Sequence, residues 1–312
     1  MNPLVSIVIP VFNRGELIRK SIQSVFKQTY VNWELIIVDD CSTDNTVDVL
    51  KSLNDERIRL ILLDKNGERG AARNAGIYKA TGEFIFFLDS DDEFLPNHLS
   101  IIVDEMIRAG NKGLFFTNSK LEVEGQGIEN KKVPLLKEYN VFEYLMHWTP
   151  NPARVAVNKM VFDDFKFDPT IPGLEDFDLW LRIASKYQVT HIPEYTNIYY
   201  LHDGGYSSGD KYETELKYFK YIFSKQILKH KLPISSKARL LSMCHYFLSV
   251  KAFENNEKLK TLKHALSSFA LFPKGYNGKT SKNIMVMAFY SVPFIGSIIR
   301  RIVKLINHRE KN

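Results

Sequence analysis

Phe84-Ile85-Phe86-Phe87-Leu88-Asp89-Ser90-Asp91-Asp92 is the run of residues around which the rest of the chain arranges itself. Five apolar residues in succession, without alternation, read as a strand buried on both faces, in the middle of a parallel sheet covered by helices. The strand runs directly into three carboxylates. Extended geometry past Leu88 puts the side chains of Asp89 and Asp91 on one side of the chain, where their oxygens can share one hard divalent cation. Ligands of an open α/β sheet bind beyond the carboxyl ends of its strands, and this cluster stands there. The plainer alternative is that the acids end the strand and charge the first turn of the helix that Pro96 opens.

Working outward, the same grammar repeats. Leu4 to Phe12 is β-branched and apolar, a first buried strand stopped by Pro10 and Asn13. Leu17, Ile18, Ile22, Val25 and Phe26 follow at helical spacing. Trp33 to Val38 is a second strand, ending in Asp39-Asp40, and Ser42-Thr43-Asp44 caps the next helix. Ile58 to Leu63 is a third strand, and Gly67 to Gly76 is a loop entering a helix. Beyond the central strand, Leu99, Ile102, Val103, Met106 and Ile107 mark an amphipathic helix closed by Gly110, and Leu114 to Phe116 starts another strand. Four strand-helix alternations with short connections predict an α/β fold with a Rossmann-like, mostly parallel sheet flanked by helices through about residue 118. Neither GxGxxG nor GxxxxGK[ST] is present, which excludes a standard dinucleotide fold and a P-loop.

Downstream the pattern loosens. Glu122 to Lys132 reads as a polar loop, residues near 140–147 as a short helix, and Arg154 to Val157 as strand. Pro172-Gly173 turns into a helix whose first residues are Glu175, Asp176 and Asp178, acids at its positive end. Asn197 to Leu201 is strand-like and delivers His202 into a Gly/Ser-rich loop. From Tyr212 the pattern is helical, with helices expected near 211–231, 235–254 and 257–271. The expected organisation is a sheet domain in two halves, 1–118 and 119–208, and a helical region over 209–312.

The formal charge of +6 over 312 residues conceals an asymmetry. Residues 1–199 carry 22 Lys/Arg against 29 Asp/Glu, while residues 200–312 carry 20 against 7. An acidic body is joined to a basic tail. Ile284 to Ile299 is a 16-residue apolar run interrupted by Pro293 and Gly296 and flanked by Arg300, Arg301 and Lys304. It falls short of the roughly 20 residues a spanning helix needs. A segment lying on an anionic membrane surface is the reading that uses the adjoining charge, in preference to a nucleic-acid partner; a buried pair of C-terminal helices is the alternative. Two cysteines, Cys41 and Cys244, in no metal-binding spacing, and no signal pattern at Met1 predict a cytoplasmic protein, at the inner face of the cell membrane.

Several strand ends therefore bear polar residues that can converge on one crevice. The chain resembles the family-two glycosyltransferases with the GT-A fold over about residues 4–205. Pro10 to Asn13 matches the family's Pro-x-Tyr/Phe-Asn, Val38 to Asp44 its Val-Asp-Asp-x-Ser-x-Asp, and Ala72 to Gly76 its Ala-Arg-Asn-x-Gly. Asp89-Ser90-Asp91 matches its Asp-x-Asp, and Glu175 to Arg182 its Glu-Asp-x-Asp-Leu-Trp-x-Arg. The resemblance implies a nucleotide-sugar donor, most simply UDP-linked, held by Pro10, Val11, Asn13, Asp40, Arg73, Asp89 and Ser90. It implies Mn²⁺ or Mg²⁺ on Asp91 and Asp89, with His202 completing the shell, to stabilise the departing diphosphate. Asp176 becomes the base that takes the proton of an acceptor hydroxyl, with inversion at the anomeric carbon, and Glu175 and Trp180 the acceptor side. The acceptor implied is a saccharide, lipid-linked or free, of a bacterial surface glycan. Where the family often has Arg two residues before its late histidine, this chain has Tyr200. Gln-x-x-Arg-Trp, the mark of processive synthases, is absent, so one sugar per encounter is expected. Two other classes use comparable features: a nucleotidyltransferase, and a nucleotide-sugar-binding membrane protein without turnover.

Overall fold

In the computed structural model, residues 2–110, 112–123, 127–130, 133–201 and 212–271 are described. They fall into two compact units that divide between residues 208 and 209.

The first unit opens with β1 (Val5–Val11), α1 (Ile18–Phe26), β2 (Trp33–Asp39), α2 (Thr46–Lys51), β3 (Ile58–Leu62), α3 (Glu68–Lys79) and β4 (Phe84–Phe87). Every residue of β1, β2 and β4 is buried, as uninterrupted apolar runs require when helices cover both faces. β3 is only partly buried because it is the edge. All three pairings among these strands are parallel, and the register sets Val11 beside Asp39 and Val8 beside Phe87. The carboxyl ends of β1, β2 and β4 therefore share one edge of the sheet. α3 lies close on β1: a Cβ on Gly76 would come within 2.4 Å of Val8 Cγ1, so only glycine permits this approach.

Past β4 come β5 (Glu93–Phe94), α4 (His98–Arg108), β6 (Leu114–Val123), β7 (Gly127–Asn130), α5 (Val141–His147), β8 (Val155–Asn158), α6 (Val161–Asp164), α7 (Glu175–Ala184) and β9 (Val189–Leu201). The sheet runs β3-β2-β1-β4-β8-β6-β9-β5, with β7 beside β6. β8 joins both β4 and β6 antiparallel, while β6 and β9 are parallel, so the parallel half continues into a mixed half. The expected loop over Glu122 to Lys132 is corrected: β6 extends to Val123 and β7 pairs back on it, Val123 opposite Gly127. All four β7 residues are exposed, so this edge ribbon carries no hydrophobic alternation to betray it.

The second unit comprises α8 (Tyr212–Ser224), α9 (Gln226–Lys229), α10 (Ile234–Glu254) and α11 (Lys258–Leu271). The helix expected over 211–231 is broken at Lys225, whose ψ of 129° leaves the helical region. α10 and α11 pack through Ser242 and Ser268, whose hydroxyls lie 2.9 Å apart. The apolar run Ile284 to Ile299 lies outside the described residues.

Candidate active site

A cleft of about 640 Å³ opens at the carboxyl edge of the sheet, within the first unit. Its floor is built by the ends of the three parallel strands. Pro10 and Val11 end β1, Asp40 follows β2, and Asp89, Ser90 and Asp91 follow β4; all six line the cleft. Its other wall is the start of α7, which contributes Glu175 and Asp176.

Asp40 is buried, and its Oδ1 accepts the backbone N–H of Gly67 at 2.8 Å, which ties the end of β2 to the entrance of α3. Burial raises its pKa above the usual carboxylate range, against the two backbone N–H groups of Gly67 and Glu68 that favour the charged form. Glu68 itself lines the cleft with φ of 67°, a conformation L-residues rarely hold.

The three acids after β4 separate into two jobs. Asp92 is fully buried and accepts from Tyr200 N at 3.2 Å and Asn151 Nδ2 at 3.3 Å, tying β9 and residue 151 to this loop. Burial first, and the nearby Asp89 and Asp91 charges next, push its pKa well up. Asp89 and Asp91 are the two that face the cleft. Asp89 Oδ1 accepts from Arg73 Nη2 at 2.6 Å.

Arg73 is 1% exposed and its second terminal nitrogen, Nη1, donates to Glu175 Oε1 at 2.8 Å. Glu175 Oε2 accepts from Gly173 N at 2.6 Å, so both its oxygens are engaged and the side chain is buried. Asp176, one residue on, is only partly buried. Its carboxyl is pushed up to about 7, by burial first and then by Glu175, with Arg73 and Arg69 opposing. A carboxyl balanced near neutrality at the wall of a cleft suits general-base work.

Two expected site residues are placed elsewhere. Asn13 does not line the cleft; it sits at φ 50°, accepts from Thr43 N at 2.8 Å and has its own N–H taken by Ser42 Oγ at 2.9 Å, holding the turn after β1. Asn tolerates that backbone region better than most residues, which accounts for its presence. Trp180 is corrected from acceptor platform to core: it is wholly buried, its ring packs on Phe87 and Phe167, and Nε1 donates to Pro150 O at 3.0 Å. Stacking on a sugar needs an open ring face, and Trp180 has none. His202 lies outside the described residues.

Conversely, Arg14, Asn66, Arg69, Asn151, Pro152 and Tyr199 line the cleft without having been singled out from sequence. Arg14 adjoins the Pro10 to Asn13 motif and Arg69 lies in the Gly67 to Gly76 stretch, whereas Asn151 belongs to an irregular stretch with no local signal.

Among the described residues no three His, Cys, Asp or Glu side chains are grouped closely enough to hold a metal by themselves. The chemistry of the cleft nonetheless fits a hard divalent cation. Six carboxyl groups (Asp40, Glu68, Asp89, Asp91, Glu175, Asp176) line it against three guanidinium groups (Arg14, Arg69, Arg73), a lining richer in oxygen ligands than in cations. Asp89 and Asp91, both lining the cleft, are the side chains that would hold such a cation.

The family model for Glycosyl transferase family 2 matches residues 6–161, the span from β1 into α6. The chain belongs to glycosyl transferase family 2. Among its family 2 relatives is a UDP-Glc:alpha-D-GlcNAc-diphosphoundecaprenol beta-1,3-glucosyltransferase of Escherichia coli, WfgD, 34% identical over 190 residues, covering 61% of this chain and 73% of that protein. A second E. coli glucosyltransferase of the same description, WfaP, is 29% identical over 248 residues, covering 79% of this chain and 93% of its own. Among solved structures, S. aureus TarS 1–349 in complex with UDP-GlcNAc superposes with a TM-score of 0.66 at 17% identity, over 95% of this chain and 91% of that one. At that identity the likeness concerns the fold, which is the GT-A fold expected from the sequence.

Proposed function

We propose that the protein transfers a single sugar, with inversion, from a UDP-sugar to a saccharide carried on a lipid diphosphate, in bacterial surface glycan biosynthesis. The observation that carries this reading is the meeting in one cleft of Asp89 and Asp91 from the end of β4 and Asp176 from the start of α7. WfgD, a UDP-Glc:alpha-D-GlcNAc-diphosphoundecaprenol beta-1,3-glucosyltransferase, supports the donor and acceptor classes.

In this reading Asp40 accepts hydrogen bonds from the nucleoside, and Pro10 and Val11 flank it at the strand end. Asp91 and Asp89 would hold the divalent cation, which supplies positive charge against the departing diphosphate. Asp176 takes the proton of the acceptor hydroxyl as its oxygen attacks the anomeric carbon; the bond from that carbon to the diphosphate oxygen breaks on the opposite side, leaving UDP. Arg300, Arg301 and Lys304 beside the apolar run Ile284 to Ile299 support peripheral contact with the inner face of the cell membrane.

The test incubates the full chain with UDP-glucose or UDP-GlcNAc, with and without Mn²⁺, and a GlcNAc-diphospholipid acceptor, and reads nucleotide release and the anomeric configuration of the product. The expected result is acceptor-dependent UDP release requiring the cation, with the configuration inverted. Pyrophosphate release instead identifies a nucleotidyltransferase, and donor binding without turnover a silent binder. Membrane contact is read separately, by co-sedimentation with anionic liposomes of the full chain and of a chain lacking residues 284–312, at rising salt.

A further inference from the structure

Arg73 stands out from the other cleft cations. It is 1% exposed, whereas the side chain of Arg69 is 37% exposed. Its two terminal nitrogens are each within hydrogen-bond distance of a different carboxylate, Asp89 and Glu175, and the face of its guanidinium lies 5.4 Å from the Phe167 ring. The remaining nitrogen, Nε, is buried with no hydrogen-bond partner. Although it borders the cleft, its two terminal nitrogens are spent on protein carboxylates rather than on a nucleotide. What it touches is more telling: Asp89 follows β4, and Glu175 lies 102 residues further along the chain from Arg73, at the start of the helix that carries Asp176.

We propose that Arg73 is a positioning residue of the transfer reaction: one guanidinium fixes Asp89 on the donor side and Glu175 on the base side, so that the distance between leaving group and base is set by a single rigid fork. This rests on the glycosyl-transfer reading above. Arginine suits the task because its planar fork serves two acceptors in fixed directions, which a lysine ammonium cannot do. Glu175 transmits the constraint, since its other oxygen holds Gly173 N at the turn before α7. The charges facing Asp176 are Glu175 from its own helix and Arg73 and Arg69 from α3, and they act in opposite directions on its carboxyl.

The test compares wild type, Arg73→Lys, Arg73→Gln, Glu175→Gln and the double Arg73→Gln/Glu175→Gln variant in the full chain, measuring kcat and donor KM against pH, and Mn²⁺-dependent UDP affinity. Arg73→Gln is expected to lower kcat about a hundredfold, the order of loss for misplaced reacting groups. It should also move the acid limb of the profile to higher pH and weaken UDP binding. Glu175→Gln should move the limb to lower pH without weakening UDP binding, and the double variant should return the limb toward the wild-type position with kcat still low. Arg73→Lys keeps the charge, so its limb stays in place while kcat falls. Arg73→Gln removes the nearer of the two cationic partners of buried Glu175 and leaves Arg69 Nε at 3.8 Å; if it does not fold, the lysine and double variants decide, because the first keeps the cation and the second removes the Glu175 charge. Wild-type kcat in either of them overturns the proposal, as does an Arg73→Gln enzyme altered in donor KM alone. Failure of the wild-type chain to turn over any donor would instead sink the glycosyl-transfer reading.

Discussion

The carboxylate of Asp40 and the backbone N–H of Gly67, 2.8 Å apart, join two strand-helix units at the point where a nucleoside would enter the cleft. The backbone N–H groups of Gly67 and Glu68 draw on this carboxylate, which also lines the cleft. Asp40→Ala should therefore do two things: weaken UDP binding by about tenfold or more, equivalent to about 1.4 kcal/mol, and lower stability by about 1–3 kcal/mol through the unmet N–H. Asp40→Asn keeps an acceptor oxygen and should lose affinity with little loss of stability. Calorimetric titration with UDP and a denaturant melt on the same preparations separate the two effects.

Asp91 and Asp92 are neighbours in sequence and opposites in environment. Asp91→Ala should abolish the Mn²⁺ dependence of UDP binding and leave the midpoint of unfolding close to wild type, since the side chain faces the cleft. Asp92→Ala should instead destabilise the protein by about 1–3 kcal/mol, because the partly buried donors Tyr200 N and Asn151 Nδ2 lose their acceptor. Unchanged cation dependence in the Asp91 variant would remove the end of β4 from the donor site.

Trp180 should report on the core alone. Trp180→Phe retains most of the buried ring but leaves the Pro150 carbonyl without its donor and a void beside Phe87, a loss of about 1–3 kcal/mol in urea unfolding. The acceptor KM should stay within about twofold of wild type if the ring contributes nothing to binding. A large rise in that KM with unchanged stability would restore Trp180 to the acceptor site.

These cases show where the sequence is legible. Phe84 to Leu88, Val5 to Val11 and Trp33 to Val38 announce themselves because burial on both faces leaves no choice but continuous apolar residues, and the acids that follow mark the strand ends. Asp40, Asp89 and Asp91 follow from that. What the sequence withholds is the direction of a side chain once the chain leaves regular structure. Asn13 and Trp180 belong to the same quoted motifs as true cleft residues, yet one braces a turn and the other fills the core. Asn151, which lines the cleft, donates there to Asp92, 59 residues earlier, a contact no local pattern reports. β7 is hidden for a different reason: a wholly exposed edge strand is held by backbone pairing to β6, which no side-chain pattern reports.

Asp176 offers the sharpest test of the chemistry, because burial and Glu175 push its pKa up to about 7 while Arg73 and Arg69 restrain it. A base must be unprotonated to work, so transfer should fall as pH drops below about 7, with one proton governing the limb. Asp176→Asn cannot take the acceptor proton and should lower kcat by about 10²–10⁴-fold, leave UDP affinity near wild type and abolish that limb. Stability should move the other way. An unfolded Asp loses its proton near pH 3.9, whereas the folded group keeps it to about 7, so the folded state binds more protons across that interval and wild-type stability falls as pH rises through it. Above the interval the cost is constant. Asn has no such cost, and the unfolding midpoint of Asp176→Asn should gain on wild type between pH 4 and pH 7 and then hold level. A merely helix-capping Asp would yield an Asn variant close to silent in both rate and pH profile, since Asn caps helices about as well. Near-normal turnover in the variant would move the base assignment away from Asp176.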